Sequence, residues 1–219
     1  MKIRELNGYG IPESIINRLV GLGYEELTEV QEEAVKHGLF ENKNLVISAP
    51  TNTGKTFIGE LAALNASKRR EAQRTFYLVS HKALAEEKFL DFKDKYSDWG
   101  LKIAISTGDY TEYDSELLEY ELIIATYEKL NALLVKNPNL VRNIGLVIVD
   151  EFQNVGDETR GSKLEILLTK LVQRDTSKNP QVIGLSATIP NGKDLAEWLN
   201  ADLVETKKRE LELREGVLY

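Results

Sequence analysis

In the stretch LVIVDEFQNV, residues 146–155, an apolar run from Leu146 to Val149 ends in two adjacent acids, Asp150 and Glu151. Adjacent carboxylates repel, and desolvation at the end of a buried strand worsens the repulsion. Either the strand simply meets water there, or a cation sits beside the pair. A second stretch, APTNTGKT at residues 49–56, favours the cation. It follows one apolar run and precedes FIGELAALNAS, which has a helical pattern. Strand, turn-rich loop, Gly-Lys-Thr and helix form a phosphate-loop arrangement. In it, backbone N–H groups converge on phosphate oxygens and the helix N-terminus adds a favourable dipole. Ala49, Pro50, Thr51, Asn52, Thr53 and Gly54 are then the candidate cradle for a nucleotide. Lys55 reaches its terminal phosphates, and the Thr56 hydroxyl ligates Mg²⁺. Ala49 stands where the general motif has its first glycine. Asn52 stands where a positive φ is wanted, and asparagine is the side chain best able to replace glycine there.

On this reading Asp150 binds the Mg²⁺, directly or through water, and Glu151 orients or deprotonates the attacking water. A third piece, LSATIP at residues 185–190, ends another apolar run. Ser186, Ala187 and Thr188 there can link a nucleotide site to a neighbouring segment by hydrogen bonds. Small hydroxyl residues are common in turns, so this triplet is weak evidence by itself.

These side chains must be positioned by a sheet. Six short, mostly β-branched runs recur at 44–49, 75–80, 102–106, 121–125, 145–150 and 181–186. Their near-continuous apolarity predicts strands covered on both faces, as in a parallel sheet. Helical periodicity lies between most of them. In 82–96, Ala83, Leu84, Phe89, Phe92 and Tyr96 can share one face, and in 161–174 Leu164, Leu167, Leu168 and Leu171 do so. Residues 12–20 read as a leading helix stopped by Gly21 and Gly23. Alternating strands and helices predict an α/β domain with a mostly parallel sheet and helices on both faces.

A chain of 219 residues without cysteine has no disulfide framework and no thiolate metal site. A formal charge of −7 and a pI near 5.1 argue against wrapping nucleic acid by bulk charge, though not against a local track. No apolar run approaches the length of a membrane span, so none is expected, and the N-terminal MKIRELNGYG lacks the apolar block of a signal peptide. His37 and His81 lack metal-ligand spacing, so surface or capping roles are expected. Lys68-Arg69-Arg70 near a helix C-terminus complements the helix dipole or touches nucleic acid, and Trp99 and Trp198 are expected to pack.

APTNTGKT, VDEFQ and SAT, in this order, resemble motifs I, II and III of superfamily two helicases, which have a RecA-like phosphate-loop fold. YLVSHKALAEEKFLDF, STGDY, IATYEKL and DETRG (157–161) are similar to further segments of the Ski-like DExH branch, and LREGVLY to its passage into a second RecA-like domain. The resemblance spans nearly the whole chain and is closest to archaeal Ski-like DNA helicases. It implies an ATP- and Mg²⁺-dependent helicase that grips single-stranded DNA or RNA and works inside the cell. It also implies a division into an N-terminal segment (1–30), a first RecA-like domain (31–206) and the start of a passage to the second (207–219). The final residues look like a truncation. An isolated first domain is expected to be nearly inactive. A double-strand translocase of the same superfamily, or a nucleotide-dependent binding module with little turnover, remains as an alternative.

Residue by residue, the resemblance gives Gln31 an adenine contact. It places Lys82, Thr107, Gly108 and Thr126 along the nucleic-acid backbone, where hydroxyls and helix starts grip phosphates without much net charge. Plainer readings stand beside these. Thr28-Glu-Val-Gln31 is also a capping box, Lys82 a solvated lysine and Thr126 a helix N-cap. Where the branch has His, this chain has Gln153, which offers an amide for the bond across to the SAT segment. The adenine segment also lacks the proline often found there, having Glu29-Val30 instead.

Overall fold

The computed structural model describes residues 1–68, 73–108, 116–157, 161–172, 179–187, 189 and 191–206. Seven strands form one sheet: β1 (Asn44–Ser48), β2 (Arg74–Val79), β3 (Ile103–Ser106), β4 (Leu122–Thr126), β5 (Ile144–Val149), β6 (Gln181–Ser186) and β7 (Ala201–Glu205). Their order is β3-β4-β2-β5-β6-β1-β7. All six pairings are parallel. The described helices are α1 (Glu13–Gly21), α2 (Glu29–Lys36), α3 (Lys55–Ser67), α4 (Lys82–Tyr96), α5 (Tyr127–Lys136), α6 (Gly161–Val172) and α7 (Gly192–Trp198).

Side-chain alternation splits the sheet into two cores. Leu45, Ile47, Tyr77, Ile124, Ile148 and Leu185 face one side with residues of α1 to α4. Val46, Phe76, Leu78, Ile123, Val147 and Val182 face the other with α5, α6 and α7. This is why the strands read as continuous apolar runs. The expected architecture is therefore observed, with each expected strand placed within a residue or so of its expected bounds. One strand was not expected. β7 is an edge strand whose ADLVE residues are mostly half-buried or exposed, so it carries little apolar signal.

Leu164, Leu167, Leu168 and Leu171 of α6 are fully buried, as their spacing predicts. On α4 the face differs in one member: Ala83 is exposed and Ala85 is buried beside Phe92 and Tyr96. The cause is the 3.6-residue period, which places Ala85 rather than Ala83 above Phe92. The leading helix ends at Gly21, and the chain reverses at Gly23 with φ +89°. Residues 1–30 pack Ile3, Leu6, Ile15 and Leu19 into the same core as Leu61 and Phe92.

One buried ionic group fixes α4 against α3. The Glu60 carboxylate, on a residue only 2% exposed, accepts from Lys95 Nζ at 3.0 Å and Tyr96 Oη at 2.7 Å. Glu60 follows the phosphate loop on α3, so this contact sets how α4 lies over the strand ends. The segment 207–219, Arg69-Arg70, most of DETRG, Asp109-Tyr110 of STGDY, and Thr188 lie outside the described residues.

Candidate nucleotide site

Ligands of open α/β sheets bind beyond the carboxyl ends of the strands, and the predicted residues gather there. β6 lies between β1 and β5. The loop after β1, the acids after β5 and Ser186 at the tip of β6 therefore stand side by side. Ala49 N donates to Ser186 O at 3.2 Å, extending the ladder into the loop.

The loop from Ala49 to Gly54 turns through two left-handed residues, Asn52 at φ +65° and Gly54 at φ +80°. Asparagine thus fills the position the sequence reading assigned to it. Gly54 has a second constraint, because a Cβ there would lie 2.2 Å from Gln31 Nε2. Thr53 Oγ1 donates to Pro50 O at 2.9 Å and Thr28 Oγ1 to Thr53 O at 3.0 Å, so the loop is braced from within and from α2. Lys55 begins α3. Its ammonium donates to Ala49 O at 2.7 Å and Pro50 O at 2.6 Å, folding back over the loop it would leave for a phosphate. Partial burial lowers the Lys55 pKa, and the nearby Asp150 carboxylate opposes that shift.

Gln31 does what the capping-box reading requires. Its Oε1 accepts from Thr28 N at 2.9 Å, and its Nε2 donates to Gly54 O at 3.0 Å. A loop-bracing role therefore exists whatever else this amide touches.

The acid pair is held by a network that motif reading missed. Tyr77 Oη, from the middle of β2, donates to Asp150 Oδ2 at 2.9 Å. Glu151 N donates to Asp150 Oδ1 at 3.0 Å, and the Tyr127 hydroxyl donates to the Asp150 carbonyl. Burial raises the Tyr77 pKa well above its ordinary value, and the negative charge of Asp150 adds to the effect. Tyr77 therefore remains a donor at neutral pH. Glu151 has φ +53°, a left-handed conformation rare for a residue with a Cβ. This turns its side chain out of the strand direction, and Ser80 Oγ donates to its Oε2 at 2.6 Å. The Lys88 ammonium, from α4, lies 3.4 Å from Thr56 Oγ1 and 3.7 Å from Asp150 Oδ2. Thr56 and Asp150 are thus no farther apart than those two distances together, inside the ~8 Å that shared or water-bridged Mg²⁺ coordination spans. A buried tyrosine in TFYLVS signals that a partner exists, but sequence does not say which.

Gln153 Oε1 accepts from Ser186 Oγ at 2.9 Å and Ala187 N at 3.2 Å. The expected link from the acid segment to the SAT segment is present, made by an amide. The 420 Å³ cleft around these groups is lined by Lys55, Thr56, Asp150, Glu151, Gln153 and Ala187. A larger cavity of 610 Å³ lies at the opposite pole, between Asn44, Asn179 and Trp198. Its described lining has neither an acid pair nor a glycine-containing loop, whereas the smaller cleft has both. Among the described residues no group of three or more His, Cys, Asp or Glu could hold a metal. Thr56 and Asp150 nevertheless suit Mg²⁺, which takes few protein oxygens and completes its shell with water and phosphate.

The other predicted residues lie across the sheet. Lys82 opens α4 after β2, Thr107 and Gly108 follow β3, and Thr126 ends β4. Because β3, β4 and β2 are neighbours, these tips form a row. Thr126 Oγ1 caps α5 by accepting from Lys129 N at 3.3 Å. The exposed Lys82 lies 4.0 Å from Glu86. Thr107 is fully buried, and its Oγ1 has no hydrogen-bond partner among the described residues, while Gly108 is exposed. His81 caps α4 through Leu84 N, and His37 Nδ1 lies 2.9 Å from Glu33 O, so both histidines have the local roles expected. Lys68 Nζ sits 4.2 Å over the Trp99 ring.

Fold and site together define a RecA-like phosphate-loop domain. The DEAD/DEAH box helicase family matches residues 28–196, and the chain belongs to that family. Its similarity extends to proteins named ATP-dependent DNA helicase Hel308. It is 45% identical over 210 residues to that of Methanocaldococcus jannaschii, covering 94% of this chain and 17% of the relative. With the Pyrococcus abyssi protein it shares 43% over 219 residues, 100% of this chain and 29% of the relative. With the Thermococcus kodakarensis protein it shares 41% over 219 residues, 100% and 19% respectively. The chain thus spans well under a third of the length of these relatives. No helix among the described residues is long and apolar enough to cross a membrane.

Proposed function

We propose that this chain is the first RecA-like domain of an ATP- and Mg²⁺-dependent DNA helicase, and that it grips single-stranded DNA beside its ATP site. The family match and the names of the relatives support the class of activity and the choice of DNA. The observation that carries the ATP site is the junction at β6. It brings the phosphate loop, the acid pair and the Gln153–Ser186 bond to one cleft.

The positions of the described residues support the following roles. Lys55 exchanges the carbonyls of Ala49 and Pro50 for phosphate oxygens. Asn52, Gly54 and the start of α3 offer N–H groups to the remaining phosphates. Thr56 and Asp150 would hold the metal, which when bound would neutralise phosphate charge. Glu151 takes the proton of the attacking water. Gln31 keeps its brace on Gly54, and its second Nε2 hydrogen serves the adenine, since an amide has two. Gln153 passes the state of the acids to Ser186, Ala187 and Thr188. Lys82, Thr107, Gly108 and Thr126 form the backbone grip. Residues 31–206 are the ATPase unit, 1–30 a docked N-terminal segment, and 207–219 the passage to a second RecA-like domain.

The test is a strand-displacement assay with ATP on the full-length protein, beside its Glu151→Gln variant. Displacement by the parent and none by the variant, with nucleotide binding retained, is the expected result. Translocation on duplex without displacement would replace the helicase reading with that of a double-strand translocase.

A further inference from the structure

Lys88 has no role in the phosphate-loop chemistry just described, yet its ammonium lies within 4 Å of two of the site's oxygens. On α4 it shares the inward face with Ala85, Phe92 and Tyr96, at spacings of three, four and eight residues. It is the one charged member at the phosphate-loop end of an otherwise core-forming stripe, and its side chain is only 15% exposed. The stripe is fixed in place. Phe92 packs edge-on to Tyr77, with ring centroids 5.5 Å apart, and Glu60 holds Lys95 and Tyr96 from α3. The Lys88 stem therefore has little choice of direction. Its Nζ lies 3.4 Å from Thr56 Oγ1, 3.7 Å from Asp150 Oδ2 and 6.0 Å from the Tyr77 ring centre.

Those two oxygens are the ones assigned to the divalent metal. A monovalent and a divalent cation about 4 Å apart repel strongly, even at the effective dielectric of a partly exposed site. That repulsion disfavours one carboxylate holding both, although its lone pairs would suffice for two partners. We propose that Lys88 is a resident counter-cation of the Asp150–Thr56 pair, which a divalent metal must displace. The inference rests on the reading of Thr56 and Asp150 as metal ligands. Bare metal ions are consequently bound weakly. A metal arriving with a nucleotide is favoured, because the phosphates supply negative charge for the displaced ammonium to follow. Before nucleotide arrives, the lysine also adds to the charge balance of Asp150, whose other side-chain hydrogen bonds among the described residues come from the neutral Tyr77 hydroxyl and the Glu151 amide.

The test uses the full-length protein without nucleotide, titrated with Mn²⁺ and read by the electron paramagnetic resonance of free Mn²⁺. Lys88→Met keeps the apolar stem and removes the charge. It is expected to bind Mn²⁺ about tenfold or more tightly than the parent. Lys88→Arg keeps the charge and is expected to bind as weakly as the parent. Circular dichroism checks that each variant is folded. Lys88→Gln, also without charge, repeats the measurement if the methionine variant does not fold. Equal Mn²⁺ affinity in the parent and the neutral variants overturns the proposal. So does a neutral variant that loses affinity for metal-free ATP with its Mn²⁺ affinity unchanged, because that result makes Lys88 a phosphate ligand. Asp150→Asn in the Lys88→Met background separates the two readings. If tight Mn²⁺ binding survives it, the metal site itself has been misassigned.

Discussion

The sheet divides into two halves that treat polar side chains differently. On the β5-β6-β1 side, nearly every functional group is already bonded within the protein. Lys55 rests on two carbonyls, Gln153 on Ser186, Asp150 on Tyr77, and Glu151 on Ser80. On the β3-β4-β2 side, the row of tips offers helix starts, an exposed glycine and a buried hydroxyl without a partner among the described residues. The first half is preorganised for small, highly charged chemistry, where placement within a fraction of an ångström matters. The second half suits a repetitive backbone that is held by many modest contacts. Ser80 is where the two meet. It follows β2, just ahead of Lys82, and bonds the Glu151 carboxylate proposed to act on the water.

The largest expected effect breaks the comparison at the level of the whole domain. If the nucleotide half draws its last cations from a second RecA-like domain, this 219-residue chain alone hydrolyses ATP roughly 10³- to 10⁵-fold more slowly than the full-length protein, the range an arginine finger contributes. It also shows little stimulation by single-stranded DNA. Steady-state ATPase rates of the chain and the full-length protein, with and without DNA, decide this. Stimulated turnover by the chain alone would mean that the site is complete within it.

Next come the charged groups of the nucleotide half, in the full-length protein. Lys55→Ala is expected to cripple ATP binding, as read by equilibrium titration with a fluorescent nucleotide. Glu151→Gln is expected to keep that binding and lose turnover by roughly 10² or more, as removal of a general base does. Hydrolysis at the parent rate by Glu151→Gln would end the assignment of the water to Glu151.

The junction should respond less. Ser80→Ala removes one charge-assisted bond to Glu151, which is worth roughly tenfold in kcat. KM for ATP should stay within about twofold, because the phosphate contacts are untouched. Ser80→Thr restores the hydroxyl and should recover most of the rate. A fall in KM-governed binding instead would place Ser80 in loop folding.

The smallest effect belongs to the grip. Thr107→Val replaces a buried hydroxyl that has no partner among the described residues, so folding stability should be unchanged or higher by up to about 1 kcal/mol, because an unsatisfied polar group is removed. Chemical denaturation measures that. If Thr107 faces a phosphate in the complex, fluorescence anisotropy with single-stranded DNA should show a several-fold loss of affinity. A destabilised variant would mean that the hydroxyl has a structural partner.

Much of this architecture can be read from the sequence for physical reasons. Six strands are covered on both faces, so their apolarity is continuous. β7, at an edge, escaped because two of its five residues are exposed and two more only half-buried. The phosphate loop was legible because its demands fall on consecutive residues. A left-handed turn needs Asn52 or glycine, and Lys55 and Thr56 must follow it directly. The sequence also predicted the Asp150–Glu151 pair, the capping box at Thr28 and Gln31, and the amide of Gln153 in place of a histidine.

Tertiary structure alone decided what those groups touch. Tyr77, Ser80 and Lys88 lie far along the chain from Asp150 and Glu151. They reach the acids only because β2 pairs with β5 and α4 is fixed over β2 by the Glu60 contact. The left-handed turn at Glu151 is also a product of the fold, since glutamate has no local preference for it. Spacing along a chain encodes groups that must be neighbours in sequence. Hydrogen bonds and charge contacts between strands depend on register and on helix placement, which are set by the packing of the two cores on either side of the sheet.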